Sequence, residues 1–465
     1  MNFKRILSLL LVFTLSFTLL FGCTKDDGNK TDPDKVLSYQ EFVGKALNEQ
    51  VVIRGYVQDK ADFYENGEKS NTSLYLRDDN GAYYAYRVYL TKEDFDKIQI
   101  GSLVEVKGTK SEWNGEVEIA EGCTCKLLEG DKKTYPAVDL SDKLADAKDY
   151  INQLVSIKGM TVVGYGDEGL PFSYTYGGGG DRGSDLYLNL AKDGKTYLFV
   201  VESSIRNENT DVYNAVEALE LGETVDVEGY AYFYNGLQLQ LTKVEGKKDV
   251  MSYFDYEDAE KGAIVTVAGF ISGLQKYSSG YSNTTFYLAN SDGGYFVYRL
   301  SCTQEEYDNL KVGKLVKITG PKSEWKGEVE INCDGKVLNQ DIFYTVYDTN
   351  VTYEATPINI TSADEYMNEL VKVEGAIVVS YDDEVETAFS YGPEGGLERG
   401  ADLYFKVEVD GLRYTFVVES DLCNEDTDVY KAVEALKVGD VIDITGFAYF
   451  YNTIQLQVTE IAASK

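Results

Sequence analysis

The chain has 465 residues, 44 Lys and Arg against 78 Asp and Glu, a formal net charge of −34 and no histidine. The length gives room for about three to five domains, and the charge repels polyanions at long range and weighs against general DNA or RNA binding. The missing histidine excludes Ser-His-Asp and Cys-His catalysis, His-ligated zinc and His-based pH sensing.

Lys4 and Arg5 precede an unbroken run of apolar, Ser and Thr residues from Ile6 to Phe21. This is the layout of a secretory signal, too short for a comfortable membrane span. The run ends in Leu20-Phe21-Gly22-Cys23. Leu20, Gly22 and Cys23 resemble the lipobox of bacterial lipoproteins, although Phe21 is bulkier than the usual pattern. The resemblance implies removal of residues 1–22, diacylglyceryl attachment to the Cys23 thiol, and a lipid-anchored protein facing out of the cytoplasm. The plainer alternative is an ordinary signal in which Cys23 is incidental. Residues 1–22 carry two positive charges and no negative ones, so their removal takes the net charge to −36. Residues 23–35, rich in Asp, Lys, Gly and Asn, read as a flexible tether. No second hydrophobic run follows.

The rest of the chain is a duplication. Lys110-Ser111-Glu112-Trp113 returns 212 residues later as Lys322-Ser323-Glu324-Trp325, and Thr210-Asp211-Val212-Tyr213 returns 217 residues later as Thr427-Asp428-Val429-Tyr430. The plan is A-B-A′-B′, with A at 36–133, B at 134–247, A′ at 248–345 and B′ at 346–465. Each unit opens with a short amphipathic stretch, such as Tyr39–Leu47 or Leu144–Leu154. A V-x-[IV]-x-G strand follows (Val51–Gly55, Val155–Gly159, Val265–Gly269, Val371–Gly375), its glycine expected to end it. Next come an apolar-Tyr-apolar strand and a third strand, then a short helix with an N-cap Thr or Asp, such as Thr91–Ile98 or Thr210–Leu219.

The unit closes with the phrase G-x-x-[VI]-x-[VI]-x-G and an aromatic at a turn. It occurs at Gly101–Gly108 with Trp113-Asn114-Gly115, and at Gly222–Gly229 with Tyr234-Asn235-Gly236. It returns at Gly313–Gly320 with Trp325-Lys326-Gly327, and at Gly439–Gly446 with Tyr451-Asn452-Thr453. Alternation flanking Asn-Gly marks a strand, a primed turn and a strand; Lys326 and Thr453 suit such a turn less well. The order β-β-β-α-β-β in about 90–110 residues is similar to the five-stranded Greek-key OB barrel. The fold class expected is therefore all-β with short helices: four tandem OB-fold barrels. The resemblance to OB domains of the nucleic-acid-binding, anticodon-binding-like superfamily implies a ligand face on strands two and three, under the 1–2 and 4–5 loops.

That face has candidates. Tyr75, Tyr187, Tyr287 and Tyr404 each stand between two apolar residues, so they point outward if their neighbours face the core. Trp113, Tyr234, Trp325 and Tyr451 begin the overhanging 4–5 turn. Strand three adds Tyr83 and Arg87 in A, and Tyr295 and Arg299 in A′. Together these form a stacking platform for a base or for the apolar face of a sugar. The plainer reading is that the rings pack across strands or against the next barrel.

Other features read as structural. The glycine-rich loops of B and B′, with Arg182 and Arg399, lack the Gly-Lys-Ser/Thr of a Walker motif and read as loops with local Arg–acid pairs. Asn207-x-Asn209-x-Asp211 and Asn424-x-Asp426-x-Asp428 alternate oxygen donors, but helix capping explains them more simply than calcium. Glu116/Glu118 and Glu328/Glu330 resemble paired catalytic carboxylates but share one strand, as a solvated face would. The five cysteines after Cys23 read as small buried residues, with a Cys302–Cys333 bond a bare option. No catalytic set, metal site or cofactor motif is present. The reading is a non-catalytic surface lipoprotein whose modules bind an extracellular protein, peptide or glycan. Single-stranded nucleic-acid binding is the alternative, supported locally by Lys311, Lys314, Lys317, Lys322 and Lys326 around Trp325. An enzyme, such as a nuclease, ranks third.

Overall fold

A computed structural model describes residues 34–334, 342–382 and 384–464. Cys23, its signal and most of the tether lie outside the described residues. In A, the strands Gln50–Lys60, Asn71–Arg77, Ala82–Tyr89, Leu103–Trp113 and Glu116–Ile119 bond in the order one-two-three-five-four. Strand one pairs back onto strand four, which closes the barrel. Strands three and five run parallel, with Tyr84 opposite Glu118. The helix Lys92–Lys97, capped by the Thr91 side chain, bridges strands three and four. This is the OB topology.

The other units repeat it. In B the strands are Leu154–Val163, Leu186–Lys192, Lys195–Val201, Thr224–Phe233 and Leu237–Gly246. In A′ they are Ile264–Leu274, Asn283–Ala289, Gly294–Ser301, Leu315–Trp325 and Glu328–Asn332. In B′ they are Leu370–Val379, Leu403–Val409, Leu412–Val418, Val441–Phe450 and Ile454–Ala463. Each barrel has its own apolar core.

The recurring phrase has a physical cause. Its first glycine takes a left-handed backbone in all four units, with φ of 85°, 77°, 91° and 92°, which is strained for residues with a Cβ. Its last glycine has no room for a side chain in B and B′. A Cβ on Gly229 would stand 2.6 Å from the Gln240 carbonyl oxygen, and one on Gly446 would stand 2.6 Å from that of Gln457. Strand five crosses there at a bulge. Gly229→Ala is expected to lower stability by about 1–3 kcal/mol, read as a lower urea midpoint with an unchanged slope. An unchanged midpoint would contradict this packing. The glycine of strand one does not end it. The strand runs on through Gly55, where strand two passes 3.1 Å from the missing Cβ.

The barrels are joined in pairs by buried contacts. Tyr75 and Tyr84 of A pack with Tyr230 of B, and Tyr287 and Phe296 of A′ pack with Phe447 of B′. Backbone bonds repeat as well: Asp62 N donates to Ser204 O (2.9 Å), and Lys276 N to Asp421 O (2.7 Å). The hairpin turns of a pair meet directly. Asn235 N donates to Asn114 O at 3.0 Å, and Asn452 N to Lys326 O at 2.8 Å. Lys326 holds a left-handed φ of 54°, and its ammonium lies 3.9 Å from the Tyr451 ring centroid. A separate junction joins B to A′ through Val163, Leu221, Phe270 and Leu315.

Candidate functional site

The structure divides the expected platform. Tyr75 and Tyr287 do point out of their barrels, but onto the partner barrel. They are 1% and 0% exposed and stack face to face on Tyr230 and Phe447, both at 4.0 Å. They are interface residues and present no open surface. Tyr83 and Tyr295 are also closed off, inside the cores of A and A′ against Phe42 and Tyr256. Strict alternation would put Tyr83 and Arg87 on one side. Strand three instead bulges, its register shifting opposite Thr72 and Leu74, and Arg87 takes a left-handed φ of 45°. The bulge resets the alternation and turns Arg87 outward. Arg299 repeats this with φ 52°.

The remaining candidates are accessible. Trp113, Trp325, Tyr234 and Tyr451 are 61%, 59%, 37% and 43% exposed. Tyr187 and Tyr404 are half-buried, because the long loops fold back to pair Ser173 with Tyr187 and Ser390 with Tyr404.

Two clefts of about 390 Å³ each meet at Glu202 in the first pair. One is lined by Tyr64, Tyr84, Tyr86 and Arg87 of A, with Asn71 and Thr72. The other is lined by Trp113 of A and by Tyr176, Tyr187, Tyr232 and Tyr234 of B, with Asp185, Gln238 and Gln240. The Tyr84 and Tyr232 rings are 6.1 Å apart across the junction. The result is a groove with aromatic walls, built by both barrels and overhung by the Trp113 hairpin. Glu202 sits where they meet. Its residue surface is half-buried, yet Oε2 is sealed from solvent and has no hydrogen-bond partner among the described residues. Burial pushes its carboxyl up to about 7, the Asp185 charge adds to this, and Arg206 offsets part of it. Near neutral pH the group therefore both donates and accepts hydrogen bonds.

The second pair has the matching cleft, about 410 Å³, lined by Tyr281, Phe296, Tyr298 and Arg299 of A′ and by Glu419 and Tyr449 of B′. Burial, with the charges of Asp402 and Asp421, pushes Glu419 up to about 8. Here Gln275 Nε2 donates to Glu419 Oε2 at 2.8 Å. In each pair the Arg lies over the preceding Tyr ring, at 5.0 Å for Arg87 on Tyr86 and 4.9 Å for Arg299 on Tyr298. Both arginines also face an acid, Glu121 at 3.3 Å and Asp334 at 3.5 Å.

The lysines around Trp325 do not form an open basic patch. Lys322 is 8% exposed and donates to the Tyr256, Glu257 and Ala259 carbonyls at a helix C-terminus. Lys317 pairs with Asp249, within A′ beside the junction with B, at 2.7 Å. Arg182 and Arg399 are anchored on helix acids, Glu217 at 3.0 Å and Glu434 at 2.8 Å. Asn207 and Asn424 accept backbone bonds two residues on, as turn residues do. Cys123, Cys125, Cys302, Cys333 and Cys423 are all free thiols, which overturns the Cys302–Cys333 option. Glu116 and Glu328 do not sit on a solvated face: both are 0% exposed.

Sequence reasoning does not single out Glu202, Glu419, Tyr84, Tyr86, Tyr232 or Tyr449. The spacing from Glu202 to Glu419 equals the 217-residue repeat, a signal the sequence does carry. Their role depends on how two barrels face each other.

No family model matches the chain, and no curated protein matches it. Solved structures similar to it include the Ifi202 HINa domain in complex with 20-bp dsDNA (11% identity, 42% of this chain and 96% of that one, TM-score 0.18). The p204 HINb domain is similar at 16% identity, over 41% of this chain and 91% of that one, with a TM-score of 0.19. A replication protein A heterotrimer bound to ssDNA is similar at 9% identity, over 67% of this chain and 93% of that one, with a TM-score of 0.16. The OB assignment of this chain rests on strand order and barrel closure.

Proposed function

We propose that the protein is a non-catalytic, lipid-anchored binding protein facing out of the cytoplasm, and that each barrel pair holds an uncharged glycan chain in its groove. The anchored location is carried by the Lys4–Cys23 segment. The ligand reading is carried by one observation: two aromatic-lined clefts, built from both barrels, meet at Glu202. Tyrosine and tryptophan faces suit the apolar faces of sugar rings, while Glu202, Asp185, Gln238 and Gln240 suit hydroxyls. Among the described residues neither Lys nor Arg lines the Trp113 side, where Asp185 and Glu202 are the acids. That composition opposes an anionic ligand.

The test is a glycan array followed by calorimetry on the full mature chain without its acyl groups. Trp113→Ala and Tyr232→Ala are each expected to weaken binding about tenfold, or about 1.4 kcal/mol, as loss of one aromatic contact does. Binding untouched by either substitution would remove the groove from consideration. A second reading, single-stranded nucleic acid, is favoured by the arginines stacked on Tyr86 and Tyr298. Saturable micromolar ssDNA binding with a steep salt dependence would put that reading first.

A further inference from the structure

The hairpin that carries Trp113 is fixed to the second barrel by a buried acid. Glu116, at its base, is 0% exposed. Its Oε2 accepts from the Phe233 backbone N–H of B at 3.0 Å. Asn152, 3% exposed, lies beside it and holds the carboxyl down in part, and it donates through Nδ2 to Val117 O at 3.1 Å. Two acceptors are then left over, Glu116 Oε1 and Asn152 Oδ1, both buried and without a partner among the described residues. Turning the amide over only moves the deficit, because Oδ1 would then face the Val117 carbonyl.

The second pair repeats every part. Glu328 is 0% and Asn368 2% exposed. Glu328 Oε2 accepts from Phe450 N at 2.8 Å, and Asn368 Nδ2 donates to Val329 O at 3.3 Å. Among the described residues, Glu328 Oε1 and Asn368 Oδ1 are again the two without a partner. A proton on each carboxyl would turn one of the two leftover acceptors into a donor for the other.

We infer that Glu116 and Glu328 enter these interfaces as neutral acids, each donating Oε1–H to its asparagine Oδ1, and that loss of this proton releases the tryptophan hairpins from the second barrels. The device regulates the groove and so rests, for its consequence, on the binding reading above. The groups that face the acids agree with it. Glu116 lies among Glu118, Tyr39 and Tyr75 of A and Tyr232 of B. Glu328 lies among Glu330, Tyr253, Tyr256 and Tyr287 of A′ and Tyr449 of B′. Neither a Lys nor an Arg is among the groups that shift either acid. Burial pushes each carboxyl up to about 8 from 4.5, against Phe233 and Asn152 at Glu116 and Phe450 and Asn368 at Glu328, which act to lower it. A raised carboxyl favours the fold while it keeps its proton. The docked hairpin is therefore fully stabilised below about pH 4.5, and the stabilisation is lost as pH rises towards 8. Asn152 also lines a concavity of about 770 Å³ beside the hairpin.

The chain's two tryptophans, Trp113 and Trp325, lie on these two hairpins, so each reports on its own. In the full mature chain carrying Trp325→Phe, acrylamide quenching of Trp113 is followed from pH 4 to 9 with no ligand present. The quenching constant is expected to rise about twofold, with a midpoint between 4.5 and 8. Adding Glu116→Gln, whose amide donates to Asn152 and accepts from Phe233, is expected to hold the low value throughout. A flat profile in the Trp325→Phe chain overturns the inference, and so does a midpoint that Glu116→Gln leaves unchanged. The pair Trp113→Phe and Glu328→Gln repeats the test at Trp325, should the first variant fold poorly. Because no ligand is used, failure of glycan binding leaves this result standing, and failure here leaves the binding test untouched.

Discussion

Tyr75→Ala is expected to remove about 3–5 kcal/mol of stability, and to separate the first two barrels rather than unfold either one. The ring is 1% exposed and lies over Tyr230 at 4.0 Å with planes 12° apart. Truncation empties a site closed by Tyr84 and Tyr230. It also removes the hydroxyl that donates to Gln240 Oε1, leaving a buried acceptor without a partner. The core of A, from Phe42 through Val51 and Ile53 to Ile119, does not include Tyr75. Urea denaturation should therefore show A and B parting into two transitions. Tyr75→Phe keeps the stack and should cost only about 1 kcal/mol, for one hydrogen bond. Tyr187→Ala, at a half-buried ring, should cost less than Tyr75→Ala. A single transition with an unshifted midpoint in Tyr75→Ala would show that the stack does not couple the barrels.

Arg206→Ala should cost about 3 kcal/mol, for a different reason: removing the arginine leaves a mostly buried carboxylate without its countercharge, which costs more than the pair itself contributes. Arg206 Nη2 bonds Asp59 Oδ2 across the first pair, with both side chains 15% exposed. The damage extends to the groove, because Arg206 is the charge that holds Glu202 down; without it Glu202 should titrate higher still. Asp59→Asn with Arg206→Met should recover part of the loss, and the double-mutant cycle gives the coupling. The second pair has Cys423 at the position of Arg206 and uses Gln275 with Glu419 instead. The matching substitution there has no ion pair to break. An Arg206→Ala chain as stable as its parent would mean that water already screens the pair.

Much of the fold is legible in the sequence because its signals are local. The phrase at Gly222–Gly229 contains a glycine that must turn left-handed and another that faces the backbone of strand five. Both constraints act within one hairpin, so they recur wherever the hairpin does. The Asn114-Gly115 turn is likewise legible, with φ of 49° and 98°. Alternation misplaces Tyr83 and Arg87 together because one bulge in strand three breaks a period of two, and a period cannot show where an extra residue is inserted. It misplaces Glu116 because a polar residue at an outward strand position reads the same whether the outer face meets water or another barrel.

The sequence by itself determined four closed barrels, their duplication and the aromatic at each 4–5 turn, since glycine conformation, strand alternation and helix capping are set by near neighbours. The tertiary structure alone decided which aromatics remain open. Docking A on B buries Tyr75 and leaves Trp113 at the rim, and docking A′ on B′ does the same with Tyr287 and Trp325. Outward-facing rings are equally apolar before docking. Which of them is covered depends on the angle at which two barrels meet, and that angle is fixed by contacts more than 100 residues apart in the chain, Glu116 with Phe233 and Glu328 with Phe450 among them.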